Sequence, residues 1–458
     1  MQLFVRDKNF YKTALFIALP IAAQQVINIG VNLMDTIMLG SFGEIQLSAS
    51  SLANQYYFIF NILCLGIGGG AAVMTAQYWG AKDRDSISKT LALMYRICAA
   101  IAIMFSILTL LFPYQIMAFY TNDAAVIENG ARYLQIIAFV YLFHGLSLTT
   151  TIVLRTVGVV RLAFYTTCCT FFINVFFNWI FIFGKLGAPR LEIAGAAIGT
   201  LLARLFEFGV TFGYLLFFDK KIQYKLKFLF QKLNASIVKE YLHVGAPVIV
   251  SDAFLTFGNS ALAMIMGRMG AQMVAANAIT TVTVQISTVF IMGIANASGV
   301  ITGNTIGKGE YEKAHAQGVT FLVLSAIIGV LAGLIITLIN PFVINFYNIA
   351  PETKEIAKQL MFAVAFIVVF QSIQSVMTKG VLRGGGDTKF LMLADVLFLW
   401  IASIPLGYFA GLVWNWPPYA VYFCLRMDFI IKSFWCIHRL NGQKWVKNVY
   451  KLGEAENV

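Results

Sequence analysis

"GIGGGAAVMTAQYWGAKD" (residues 66–83) and "GIANASGVITGNTIGKGE" (residues 293–310) are one stretch written twice, 227 positions apart. Gly66, Ile67, Val73, Thr75 and Gly80 keep step with Gly293, Ile294, Val300, Thr302 and Gly307. The same shift lays Pro20 on Pro247, Gly40 on Gly267, Gly43 on Gly270 and Ala49 on Ala276. A shift of 228 lays "VLRTVGVVR" (153–161) over "VLRGGGDTK" (381–389). The chain is an internal duplication, so the architecture of one half is the expected architecture of the other.

Composition says what each half becomes. Of 458 residues, 59% are hydrophobic and 12% charged, with mean hydropathy +0.77; soluble domains use about 25% charged residues. Apolar runs of about 20 residues, long enough as helix to cross a ~30 Å hydrocarbon core, recur throughout. They fall near 14–38, 49–76, 90–112, 131–154, 162–183, 194–218, 241–266, 275–303, 318–340, 360–382, 390–412 and 418–437. The expected fold is therefore all-α and integral to the membrane, with about twelve transmembrane helices. An even number of spans per half makes the repeats parallel: two six-helix lobes related by a pseudo-twofold axis along the membrane normal, an arrangement transporters use. The expected division is an N-terminal lobe 1–218, a basic cytoplasmic linker 219–240, and a C-terminal lobe 241–458 ending in a short cytoplasmic tail.

The formal charge of +12 does not point to nucleic acid. With both termini cytoplasmic, most of the 33 Lys and Arg fall in inside loops, the positive-inside pattern of a multi-pass protein of the cytoplasmic (inner) membrane. The linker "DKKIQYKLKFLFQKLNASIVKE" is the largest basic block and can attract anionic lipid headgroups. The N-terminal apolar run is too long for a signal peptide and reads as a retained first helix. All six cysteines lie within expected helices without metal-ligand spacing, and read as packing thiols. "GIGGG" (66–70) and "RGGGDTK" (383–389) lack the strand, helix and spacing of a phosphate loop. No nucleophile, nucleotide or metal motif stands out, so the chain is read as not an enzyme and without a cofactor other than Na⁺ or H⁺ as a coupling ion; it is expected to be a monomer.

The polar residues inside the spans carry the functional signal. Gln24, Gln25, Asn28, Asn32 and Asp35 recur every three or four positions and form a stripe on the first helix, expected to line the lobe interior. Asp252, Thr256 and Asn259 repeat the device in the seventh helix, and Gln285 stands among polar positions of the eighth. A charge at the bilayer centre costs about 2.5–3.5 kcal/mol or more, so intramembrane acids are functional candidates. Glu207 has Arg204 three residues before it and Asp428 has Lys432 four residues after it, spacings that suit structural ion pairs. Asp35, Asp252 and Asp395 have no basic residue within helical reach and are the coupling candidates. The bland alternatives are a solvated carboxylate for Asp35 and hydrogen-bonded acids for the other two. Asn174 and Asn178 share one face of the fifth helix, where their amides can bind a hard cation or bond between helices. Pro20 and Pro247 each remove an internal hydrogen bond and allow a bend, which makes them candidate hinges. His144, a lone histidine well inside a span, reads as packing, with a proton relay as the alternative.

Together, "MDTIMLGSFG", "TAQYWGAKD", "VLRTVGVVR", "VLRGGGDTK" and "INVFFNWIFIFG", in this order and at this repeat offset, resemble the multidrug and toxic compound extrusion (MATE) family over nearly the whole chain. The resemblance implies two six-helix lobes that export organic, often cationic and aromatic compounds in exchange for Na⁺ or H⁺. It also implies a cation site in the N-terminal lobe, matched here by Asp35, Asn174 and Asn178, with Thr200 and Tyr133 as further carry-overs. The C-terminal half departs from the best-known branch, with Leu255 and "FQSIQSVM" (370–377) where that branch carries acids; it offers Asp252 and Asp395 instead. A lipid-linked precursor flippase of the same superfamily, and a non-transporting receptor or channel, remain the alternatives.

Overall fold

The computed structural model describes residues 4–41, 43–232, 235–346, 349–442 and 444–447. The expected tail beyond 447, and residues 233 and 234 of the expected linker, lie outside the described residues. Helices account for nearly everything described: α1 Lys8–Gly40, α2 Glu44–Gly80, α3 Arg84–Leu111, α4 Ala124–Ile137, α5 Val140–Thr156, α6 Arg161–Phe183 and α7 Ile193–Gly213. After the linker come α8 Ala235–Arg268, α9 Ala271–Ser287, α10 Val289–Gly307, α11 Tyr311–Phe346, α12 Pro351–Val376, α13 Thr388–Leu397, α14 Pro418–Leu425 and α15 Met427–Asn441.

Among the described residues, 10 helices are long and apolar enough to cross a membrane, or 11 when α4 and α5, bent by 56° at their junction, count as one span. At the break between them the hydroxyl of Ser106 donates to the carbonyl of the buried Ala138 at 2.7 Å. The expected span 275–303 is delivered as two helices, α9 and α10. The expected span 418–437 is also split, into α14 and α15, each too short to cross a membrane alone, and it carries Arg426, Asp428 and Lys432, which together explain why it is absent from the apolar set.

Local chemistry sets the ends. Asp83 caps α3 by accepting from the Ser86 amide at 3.0 Å, and Asp123 caps α4 by accepting from Ala125 at 2.9 Å and Val126 at 3.2 Å. α6 stops at Gly184, whose φ of +66° is the left-handed conformation that glycine adopts without penalty. α1 and α8 run unbroken through Pro20 and Pro247.

The chain packs as two compact units. One comprises residues 1–22, 76–82 and 242–458; the other comprises 23–75 and 83–241. The division passes through α1 two residues after Pro20 and through α2 at Thr75 and Ala76. Within the first unit the repeated stretch meets itself. A Cβ at Gly80 would stand 2.1 Å from the Asn304 carbonyl oxygen, and one at Gly307 would stand 1.9 Å from that of Gln77. Gly80 and Gly307 are repeat partners, as are Gln77 and Asn304, so the ends of α2 and α10 cross in reciprocal backbone contact that a methyl group would prevent.

Candidate cation site and the buried ion pairs

Five helices of the second unit converge on Asp35. Its carboxylate Oδ1 accepts from Asn178 Nδ2 at 2.7 Å, and the same amide group donates to Asn174 Oδ1 at 3.2 Å. Asn174 Nδ2 reaches the Thr200 hydroxyl at 3.5 Å, and the Tyr133 hydroxyl donates to Asn54 Oδ1 at 3.4 Å. Asn174, Asn178 and Tyr133 are buried, and Asp35 is half-buried. The structure thus brings together α1, α2, α4, α6 and α7 through the five residues Asp35, Asn174, Asn178, Thr200 and Tyr133, and adds Asn54.

Sequence reasoning missed Gly199. A Cβ there would stand 2.1 Å from Asn178 Oδ1, so glycine is what lets the amide sit beside Asp35. The signal was present in "GAAIGT" (195–200), but a small residue before Thr200 says nothing until α6 is known to press against it. Asn178 Oδ1 is buried without a hydrogen-bond partner. A carboxylate, an orphaned amide oxygen and hydroxyls are hard oxygen donors, and they fit a small monovalent cation or a proton.

The rest of the polar stripe divides by angle. Gln24 and Asp35 are eleven residues apart, about three turns, and stand in line. Gln24 Nε2 donates to the Thr167 hydroxyl at 2.9 Å and its Oε1 accepts from Arg155 at 2.7 Å. Gln25 and Asn32 lie about 80–100° around the helix, and with Asn28 they are exposed instead of lining the packed interior. Gln285 is also exposed.

In the first unit, the expectation that Asp252 and Asp395 lack basic partners is corrected. Asp252 pairs with Arg383 at 3.1 Å. Asp395 pairs with Lys432 at 3.0 Å and accepts from the Ser251 hydroxyl at 2.5 Å. The expectation failed because it searched for cations one turn away on the same helix, and these partners come from other helices. Lys432, 1% exposed, also holds Asp428 at 3.1 Å, the pair that helical spacing anticipated. Arg204 holds Glu207 at 2.6 Å, again as anticipated. Among the described residues, Asp35 is the one of the five intramembrane acids without an ion pair.

Residues 20–180 and 247–409 each match the MatE family model, one copy per repeat. The chain belongs to the MatE family. This MatE chain is a multi-pass membrane transporter and not an enzyme. It is 26% identical over 399 residues to the probable multidrug resistance protein NorM of Thermotoga maritima, covering 87% of this chain and 85% of that one. With the probable NorM of Agrobacterium fabrum it shares 23% identity over 420 residues, covering 89% and 90%. Its fold matches a structure described as the outward-facing conformation of a multidrug resistance MATE family transporter, with TM-score 0.85, 17% identity and coverage of 94% and 96%. A MATE crystal structure in the straight conformation matches with TM-score 0.84, 18% identity and the same coverage. The expected all-helical, roughly twelve-span fold of a MATE transporter is thus the fold this chain adopts.

Proposed function

We propose that this MatE transporter is a cation-coupled multidrug antiporter of the cytoplasmic membrane, with both termini cytoplasmic. In this reading it exports organic, often cationic and aromatic compounds as a monomer, by alternating access between an N-terminal lobe (1–218) and a C-terminal lobe (241–458) tethered by the basic linker. The observation that carries the reading is Asp35, an intramembrane carboxylate bonded to an amide and to no cation among the described residues. An unpaired acid in a span is costly unless an ion or proton comes and goes there. The relatives named for multidrug resistance supply the substrate class. Na⁺ and H⁺ both suit the oxygen set, and Asp252 and Asp395, held by Arg383 and Lys432, serve in this reading as fixed counter-charges.

The test is efflux of ethidium from proteoliposomes under a pure sodium gradient and then a pure pH gradient. One of the two drives efflux if the reading is right, and efflux driven by neither overturns it. A lipid-linked precursor flippase is the second reading. Arg155 favours it, because its guanidinium is bonded to the neutral Gln24 amide and forms no ion pair among the described residues, leaving a cation for an anionic headgroup. Transport of a fluorescent polyprenyl pyrophosphate in place of ethidium would select that reading.

A further inference from the structure

Each half of the duplication carries an arginine at the same repeat position. A shift of 228 lays Arg155, near the end of α5, on Arg383, just before α13. Both reach the proline-containing helix that opens their half. Arg383 donates to Asp252 of α8, five residues after Pro247, at 3.1 Å. Beside it, Ser251 donates to Asp395 of α13 at 2.5 Å, and Asp395 is held by Lys432. In the N-terminal half Arg155 donates to Gln24 of α1, four residues after Pro20, at 2.7 Å, and Gln24 donates to Thr167 of α6 at 2.9 Å. Gln24 and Thr167 are the repeat partners of Ser251 and Asp395, so the side-chain bond between these two helices recurs in both halves. The repeat partner of Asp252 is Gln25.

The N-terminal half therefore has the arginine and neither acid. A guanidinium stays charged in proteins, and burying it without an opposite charge is costly. Arg155 forms no ion pair among the described residues, and its Nε is buried without a hydrogen-bond partner. Asp35, in line with Gln24, lies about 16 Å farther along α1, too far to neutralise it. Arg155, Gln24 and Thr167 are half-buried and Gln25 is exposed, so a ligand can reach the group. The other half displays what fits there, one carboxylate set against one arginine. We infer that Arg155, with Gln25 beside Gln24, is a binding site for a singly charged oxyanion, a carboxylate or a phosphodiester, in the place that the Asp252 carboxylate fills in the C-terminal half. Two N–H groups of one guanidinium edge match two oxygens of such a group, and one positive charge balances one negative charge. Gln25 contributes an uncharged amide where an aspartate would compete for the arginine. A phospholipid headgroup and a free carboxylate-bearing amphiphile both present this chemistry.

The site goes beyond both transport readings, since it requires neither ion exchange at Asp35 nor movement of a lipid precursor. Its test is equilibrium binding to the full chain in a neutral maltoside detergent, with the fluorescent carboxylate dansylglycine as probe and the uncharged dansylamide as its counterpart. The wild-type chain is expected to bind dansylglycine about tenfold or more tightly than dansylamide. That preference is expected to vanish in Arg155→Gln. It is expected to vanish equally in Gln25→Asp, which gives α1 the acid that α8 already has and keeps the arginine; the exposed position of Gln25 keeps the test available should Arg155→Gln fail to fold. Displacement of dansylglycine by phosphatidylglycerol identifies a headgroup as the occupant, and dansylglycine retained against phosphatidylglycerol identifies a free carboxylate. Equal affinity of the wild-type chain for the two probes, or a preference that survives in either variant, overturns the inference.

Discussion

Asp35 differs from the ion-paired acids of the spans in its partner: the donor beside it is an amide and carries no charge. Asp35→Asn keeps the size and the hydrogen bonding while removing the exchangeable charge. Ion-driven efflux is expected to disappear with membrane insertion and monodispersity intact, and wild-type efflux in this variant would remove Asp35 from the mechanism. Gly199→Ala tests the geometry. The added methyl displaces Asn178 from the carboxylate, and a misplacement of about 1 Å is expected to cost roughly tenfold or more in coupled efflux at equal expression. Asp35, Asn174 and Asn178 were legible because each signal is local: an acid in an apolar run, and two amides four apart. Gly199 was not, because its meaning depends on which helix lies against it.

At the scale of elements, helices meet through charge in one place and through glycine in another. Lys432 is shared by Asp395 and Asp428, with Ser251 and Ser403 hydroxyls on the two carboxylates. Removing the lysine strands two buried anions, so Lys432→Met is expected to destabilise by about 3–5 kcal/mol, read as a lower midpoint in a thermal or denaturant series in detergent. The triple variant that also neutralises Asp395 and Asp428 to Asn is expected to recover most of that loss. Where α2 and α10 cross, no side chain can yield, because the contact is backbone on backbone. Gly307→Ala is expected to cost about 1–3 kcal/mol, and the repeat-related Gly80→Ala a similar amount, with both read in the same assay. Repetition in the sequence had already set these two glycines in register. Only the packing showed that they press against each other's helix ends.

At the scale of the whole molecule, the last described residues fasten the first unit. Asp387, fully buried, accepts from Arg439 at 2.7 Å and pairs with Lys447 at 2.5 Å, while the Lys447 amide donates to the Gly385 carbonyl at 2.8 Å. Trp445 is also fully buried and donates to the Leu440 carbonyl at 3.1 Å. Asp387→Ala leaves two part-exposed cations with water to solvate them, so the expected loss is smaller than for Lys432, about 1–3 kcal/mol, with increased fluorescence quenching of tryptophan as the unit loosens. The sequence by itself determined the membrane environment, the duplication, the parallel repeats and the acid most worth testing, because hydropathy, periodicity and repeat offset are properties of consecutive residues. Tertiary structure alone decided which acids are paired, that Gly199 makes room for Asn178 beside Asp35, and that the compact units cut through α1 and α2. Ion pairs such as Asp252 with Arg383 join residues 131 positions apart, and their strength depends on distances that arise only when helices pack.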